Sequence, residues 1–344
     1  MRVAFVGKGG SGKTTLSALF SRHLARSGAP VLAVDGDINQ HLAEALGADS
    51  GPGHSPGTDA GPNAGTGTGT GDGGSFTAPP LSAHLDEIKD CLRGGNPLIA
   101  SREAMIKTTP PGRGSTLLRL LGDDPVHARH VQEVGGVPLM VTGRFDESDL
   151  GVAWYHSKLG AVELYLNHLV DGPGEYVVVD MTAGADAFAS GLFTRFDITF
   201  LVAEPTRKGV SVYRQYRDHA REFGIPLAVV GNKVTGEDDL LFLKEHAGDD
   251  LLAHCLHSPF VRAREQGRDR AGHGELEAHN LHALDLLRSA VDARTKDWAA
   301  FQKHAVEFHL RNATAWADRA TGMDLATQID PGFEHGPAAL PSTG

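Results

Sequence analysis

The chain has 344 residues, 40% hydrophobic and 22% charged, enough for one large domain or two small ones and unlike a fibrous or wholly disordered protein. Its 32 Lys and Arg against 43 Asp and Glu give a formal net charge of -11, which disfavours non-specific nucleic-acid binding and anionic lipid surfaces. The two cysteines, Cys91 and Cys255, form no Cys-x-Cys or Cys-x-x-Cys pair, so neither a disulfide framework nor a cysteine-rich metal site is encoded within one chain.

The opening MRVAFVGKGG reads as a strand running into a glycine loop, not as a secretory leader. With no apolar run near the ~18 residues of a membrane span, the expectation is a soluble cytoplasmic protein. Residues 2–6 (RVAFV) form a short buried strand. Residues 13–26 form a helix with Leu16, Leu19, Phe20 and Leu24 on one face, stopped by Gly28. Residues 31–34 (VLAV) give a second strand, followed by DGDINQ and a helix through Leu46. Residues 51–75 then hold ten glycines, three prolines and no larger aliphatic. Such a segment buries too little to offset its chain entropy, so it predicts a disordered insert at about 49–80.

Residues 81–129 read as mixed helix and loop, and 137–142 as a strand. Residues 158–170 predict an amphipathic helix. Strands follow at 176–180, ending in a carboxylate, and at 198–203 and 226–231, with a helix over 209–223 and a weaker strand at 251–256. Apolar strands alternating with helices imply an α/β fold, a mostly parallel sheet with helices on both faces. Two C-terminal helices are expected over 276–293 and 296–320, with Trp298, Phe301, Phe308, Leu310 and Trp316 for packing, then a loose tail.

The chemistry concentrates in GKGGSGKTT, residues 7–15. Gly7, Gly12, Lys13 and Thr14 fit the P-loop spacing, between a buried strand and a helix. Glycines at 7, 9, 10 and 12, with Ser11, let backbone amides turn inward around a phosphate. The helix start adds its positive end. Lys13 would place its ammonium against the β- and γ-phosphates, Thr14 would ligate magnesium, and Thr15 would reach the α-phosphate.

Lys8 makes the loop K-G-G-x-G-K-T-T, which resembles the deviant Walker A of the MinD/ParA/nitrogenase iron protein class, the class that includes CooC and the arsenite-pump ATPase. The resemblance covers about residues 1–50 and 135–265, and implies a P-loop NTPase fold binding ATP with Mg2+. It implies that Lys8 crosses an ATP-bound homodimer to the partner's phosphates, as an arginine finger does. It implies that Asp35 of VLAVDGDINQHL lies near the magnesium waters and that Asp37 orients the attacking water, with Ile38 standing where proline is common. Asp180, ending YVVVD, would be the Walker B carboxylate near magnesium, and Ala183, Gly184 and Ala185 resemble switch II, which senses the γ-phosphate. In VVGNKV, Asn232 would face adenine; Thr235 stands where a guanine-type aspartate would be, which favours ATP over GTP. The segment 203–210 (AEPTRKGV) resembles a family loop without an assigned role.

The expected organisation is a P-loop ATPase domain over 1–270, a helical extension over 271–325 and a flexible tail over 326–344. The expected function is an ATP hydrolase, magnesium-dependent and dimer-forming, switching an unknown protein client. The CooC branch binds nickel through a Cys-x-Cys pair that this chain lacks; His156 stands in the comparable region and reads as packed or solvated, so the resemblance does not extend to nickel insertion. A ParA- or MinD-like positioning role is disfavoured by the acidic balance and by a Pro/Gly-rich end without a basic membrane helix. An amide ligase of the cobyric acid or dethiobiotin type is a further alternative. A non-catalytic nucleotide sensor ranks last, because Lys13, Thr14, Asp37 and Asp180 are all present.

Overall fold

The computed structural model describes residues 1–48, 75–144, 155–184, 188, 191–266, 268 and 275–340, with no side chains described at 155–157. The expected insert from 49 to 74, the His156 side chain and Ala185 therefore lie outside the described residues.

The strands are β1 (Arg2–Gly7), β2 (Val31–Gly36), β3 (Leu118–Arg119), β4 (Gln132–Val134), β5 (Val137–Val141), β6 (Leu169–Val170), β7 (Tyr176–Met181), β8 (Ile198–Ala203), β9 (Leu227–Val234) and β10 (Leu251–Leu256). Eight build one sheet in the order β10-β9-β8-β1-β7-β2-β5-β4. All neighbours are parallel except the edge pair β4–β5. Strands β1, β2, β7 and β8 are buried along their whole length, as continuous apolar runs require when helices cover both faces. β3 and β6 pair separately.

The first helices are α1 (Lys13–Arg26), α2 (Leu42–Leu46), α3 (Leu85–Arg93), α4 (Pro125–His130) and α5 (Tyr155–His168). They are followed by α6 (Tyr213–Phe223), α7 (Glu237–Ala247), α8 (Pro259–Glu265), α9 (Ala278–Asp292), α10 (Trp298–Asn312) and α11 (Asp318–Thr321). On one sheet face α1 packs Leu16, Phe20 and Leu24 onto Phe5 and Phe200, with ring centroids 5.4 to 6.2 Å apart. Each fully buried phenylalanine there contributes about 2 kcal/mol. α9 joins this face, against β10 and α1. On the other face lie α5, α6 and α7.

Several expectations need correction. α5 is not amphipathic: Leu159 and Ala161 to His168 are all buried, including Glu163, Asn167 and His168. The helix is covered by the sheet on one side, and by residues 81–84 and 191–195 on others. It stops at His168, where β6 begins. Residues 75–80, placed within the insert, are held against the sheet edge. Gln132 Oε1 accepts from the amides of Thr77 (2.8 Å) and Ala78 (3.0 Å), and His130 Nδ1 bonds the Pro79 carbonyl (2.7 Å). They cover a strand edge that would otherwise be open.

The tail is not loose up to residue 340. Leu325, Gln328, Asp330 and His335 are buried. Gln328 Nε2 donates to the Ala104 carbonyl (2.7 Å), and Arg113 donates to Asp330 (2.9 and 3.1 Å). These partners lie more than 200 residues away, so composition alone could not reveal them.

At the sheet edge where the parallel strands begin, Asp171 accepts from the Met1 ammonium (2.6 Å), Arg2 Nε (2.7 Å) and Lys296 Nζ (2.7 Å). The Arg2 guanidinium, fully buried, lies 4.3 Å from the Phe301 ring centre. This cluster clamps the start of α10 onto β1. Three cations hold the Asp171 carboxyl far below the usual carboxylate range despite its burial. Among the described residues no helix is long and apolar enough to cross a membrane.

Candidate nucleotide site

The site lies at the opposite edge, where the parallel strands end. β1 stops at Gly7, whose φ of +144° and close approach to the Val202 carbonyl exclude a Cβ. Gly12 (φ +94°) turns the loop into α1, and a Cβ there would overlap Asn232 Nδ2. The Ser11 amide donates to the Lys8 carbonyl (3.1 Å), closing the loop. The first turn of α1 has no side-chain cap, so its amides are open to an anion. Lys13 is buried, with its ammonium 3.5 Å from the Lys8 carbonyl. Lys8 is half-buried, and Gly9 and Gly10 are exposed at the rim.

Two carboxylates face this loop from neighbouring strand ends. Asp35 on β2 and Asp180 on β7 are direct register partners, and both are fully buried. Asp180 Oδ2 accepts from Thr14 Oγ1 (2.6 Å). Asp35 accepts from the amides of Asp37 (3.1 Å) and Leu42 (2.9 Å). Burial raises the Asp35 carboxyl well above its ordinary range, and the Asp180 charge adds to this. Burial also pushes Asp180 up to about 7, against the opposing Thr14 hydrogen bond and Lys13 charge. Adjacent buried carboxylates beside a hydroxyl form a hard oxygen donor set that fits magnesium. Among the described residues no group of three or more His, Cys, Asp or Glu could hold a metal, so a cation here would complete its shell with water and phosphate.

Asp37 stands at the rim, half-buried, its Oδ1 held by the Asn39 amide (3.0 Å) and Nδ2 (2.9 Å). Asn232, near the end of β9, donates to the Ser11 carbonyl (2.8 Å). The next residue, Lys233 of the Asn-Lys pair, has no role assigned from the sequence. Lys233 adopts a left-handed backbone (φ +60°), and its ammonium bonds the Gly10 carbonyl (2.7 Å) and Glu204 Oε1 (2.6 Å). It ties the crown of the loop to the ends of β8 and β9. The clue was present in NKV and AEP, each at the end of a strand.

Beside the loop opens a cleft of about 350 Å³. Thr15, Leu16, Leu19 and Asn232 line one side; Leu256, Val261, Leu276 and Leu284 are among the apolar residues of the rest. Thr15 Oγ1 donates across its mouth to Glu265 (3.2 Å). The wall from 255 to 266 and the α9 contribution were not anticipated. Beyond β7, the Gly184 carbonyl accepts from the Tyr216 hydroxyl (2.9 Å), and Ala183 precedes it.

A glycine loop between a central parallel strand and a helix, facing carboxylates on adjacent strand ends, defines a P-loop nucleotide-binding protein. The chain belongs to the CobQ/CobB/MinD/ParA nucleotide binding domain family, whose profile matches residues 3–247. It is 27% identical over 256 residues to an uncharacterized ATP-binding protein of Methanocaldococcus jannaschii, covering 73% of this chain and 83% of that one. It is 25% identical over 268 residues to the carbon monoxide dehydrogenase accessory protein CooC of Rhodospirillum rubrum, covering 77% and 87%. In fold it resembles the septum site-determining protein MinD with Mg-ADP from Pyrococcus horikoshii, with a TM-score of 0.50, 17% identity, and 85% and 96% of the two chains covered. The cell division ATPase MinD of Pyrococcus furiosus gives 0.51, 15%, and 84% and 98%.

Proposed function

We propose that the chain binds ATP with Mg2+, hydrolyses it, and uses the cycle to open and close a homodimer acting on a protein client. The observation that carries this reading is the convergence of Lys13, Thr14, Asp35 and Asp180 on one loop, with the buried acids short of positive charge. The glycine amides of the loop and the uncapped amides of the first turn of α1 bind the phosphates, and Lys13 offsets charge on the transferred phosphoryl group. Thr14 and Asp180, with Asp35 directly or through water, would hold Mg2+, which supplies further charge neutralisation at the phosphates. Asp37 orients and polarises the water that attacks the γ-phosphorus as the bond to ADP breaks. Lys8 reaches the partner subunit's nucleotide. Adenine enters the apolar cleft beside Asn232. The likeness to CooC, by name an accessory protein of an enzyme, favours a protein client over a small-molecule product.

The test is a pair of lysine variants with nucleotide binding and phosphate release measured on each. Lys13→Ala loses ATP affinity. Lys8→Ala keeps it and loses hydrolysis or ATP-dependent dimerisation. Unchanged affinity in Lys13→Ala ends the assignment; unchanged hydrolysis and dimerisation in Lys8→Ala ends the trans role.

A further inference from the structure

The C-terminal helices lie outside the residues that match the family, yet α10 packs directly on the segment that follows Asp180. Of its described residues, Gly184, Phe188 and Phe193 are held by neighbours. The Gly184 carbonyl is bonded by Tyr216 on α6, and the Phe188 ring lies 4.3 Å from the Tyr216 ring and 5.1 Å from Phe193. Phe193 in turn meets Phe308 of α10 edge-on at 5.6 Å, and both contact Phe223 at 5.1 and 5.5 Å.

Gly191 has no spare room. A Cβ there would lie 2.8 Å from the Phe308 ring and 2.5 Å from Glu163 Oε1. Arg195, fully buried, donates to the Phe301 carbonyl (2.9 Å), and its guanidinium lies 5.0 Å from the Phe301 ring centre. One face of α10 is thus seated on residues 191–195 at Phe301 and at Phe308, two turns apart. A close-packed contact of this kind transmits a displacement, and the gap beside it, between Phe188, Phe193 and Tyr216, is only about 10 Å³.

We propose that α10 is a read-out of nucleotide state, moved by the segment after Asp180 through the Phe193–Phe308 contact and the Arg195–Phe301 clamp. This rests on the reading of Ala183 and Gly184 as part of the element that senses the γ-phosphate. The helix continues through a π-helical turn, Ala313–Ala317, into α11, carrying the half-exposed Trp316. A π turn stores an alternative hydrogen-bond register and often marks a working segment. The arrangement gives an otherwise unexplained extension a task, reporting ATP or ADP at a surface remote from the nucleotide.

The test is hydrogen–deuterium exchange on the full chain in the Asp37→Ala background, where ATP persists, comparing ADP with ATP and magnesium. Exchange in residues 301–312 changes by about fivefold or more between the two nucleotides, the lower end of usual coupling strengths. Phe308→Leu and Gly191→Ala each abolish that difference while ATP affinity stays within about twofold, since neither touches the loop. If one variant does not fold, the other carries the comparison. Equal exchange over 301–312 in ADP and ATP, with residues 7–15 protected by both, overturns the coupling and leaves nucleotide binding standing. A difference that persists in both variants overturns the aromatic route. No protection at 7–15 with either nucleotide defeats the nucleotide reading, and the coupling with it.

Discussion

The two edges of the central sheet handle buried carboxylates in opposite ways. Where the parallel strands begin, Asp171 is surrounded by the Met1 ammonium, Arg2 and Lys296, and its carboxyl is held far below the ordinary range. Where they end, Asp35 and Asp180 lie side by side with Lys13 the main cation, and both are pushed up. The first edge is complete in itself and serves stability. The second holds an uncompensated acid pair that a cation brought with a nucleotide would neutralise. A fold can place such a cost at one edge when the other secures the chain.

Substitutions at the two edges should therefore behave differently. The largest effect is expected for Asp171→Ala, which leaves the Arg2 guanidinium buried without its acid and Lys296 with Asp197 alone. It should destabilise the chain by about 3–5 kcal/mol in denaturant unfolding. A loss below about 1 kcal/mol would show that the cluster is better hydrated than its burial indicates. Next is Lys13→Ala, which should weaken ATP by roughly a hundredfold, about 3 kcal/mol, with little change in the unfolding midpoint without nucleotide.

A smaller effect comes from His168, which lies near His335 at the stability edge. Burial lowers its imidazole from the ordinary 6.5 to about 4. Between those values the unfolded chain binds a proton that the folded chain does not. Stability therefore falls as pH drops from 6.5 towards 4, by about 2–3 kcal/mol, and this contribution is flat below. His168→Leu should flatten the slope in thermal melts across that window. The smallest effect is expected for Asp180→Asn, which relieves the acid pair. The nucleotide-free protein should be unchanged or more stable by about 1 kcal/mol, while magnesium-dependent stabilisation by nucleotide is lost. Strong destabilisation without nucleotide would erase the contrast between the edges.

The legible parts of the sequence were those with local signals. Continuous apolar runs marked β1, β2, β7 and β8, and the expected 13–26 coincides with α1. The loop and the carboxylates at 35 and 180 were found because strand, turn and helix are contiguous around them. Helix α7 was missed because its amphipathic pattern is weak and half its positions are exposed. The partners of Asp171 sit at positions 1, 2 and 296, and the Lys233–Glu204 bridge depends on β8 and β9 being neighbours. The far wall of the cleft uses a seven-residue helix, α8, whose Ser258 cap and Pro259 were readable but whose place beside the P-loop was not. Apart from α7, long-range pairing, not local propensity, supplied what was missed.

The most direct measurement is light scattering coupled to size exclusion on the Asp37→Ala protein, first with ADP and magnesium, then with ATP and magnesium. The expected result is a monomer with ADP and a dimer with ATP, with the dimer lost when Lys8 is also replaced. A monomer under both conditions, with ATP demonstrably bound, would contradict the dimer switch.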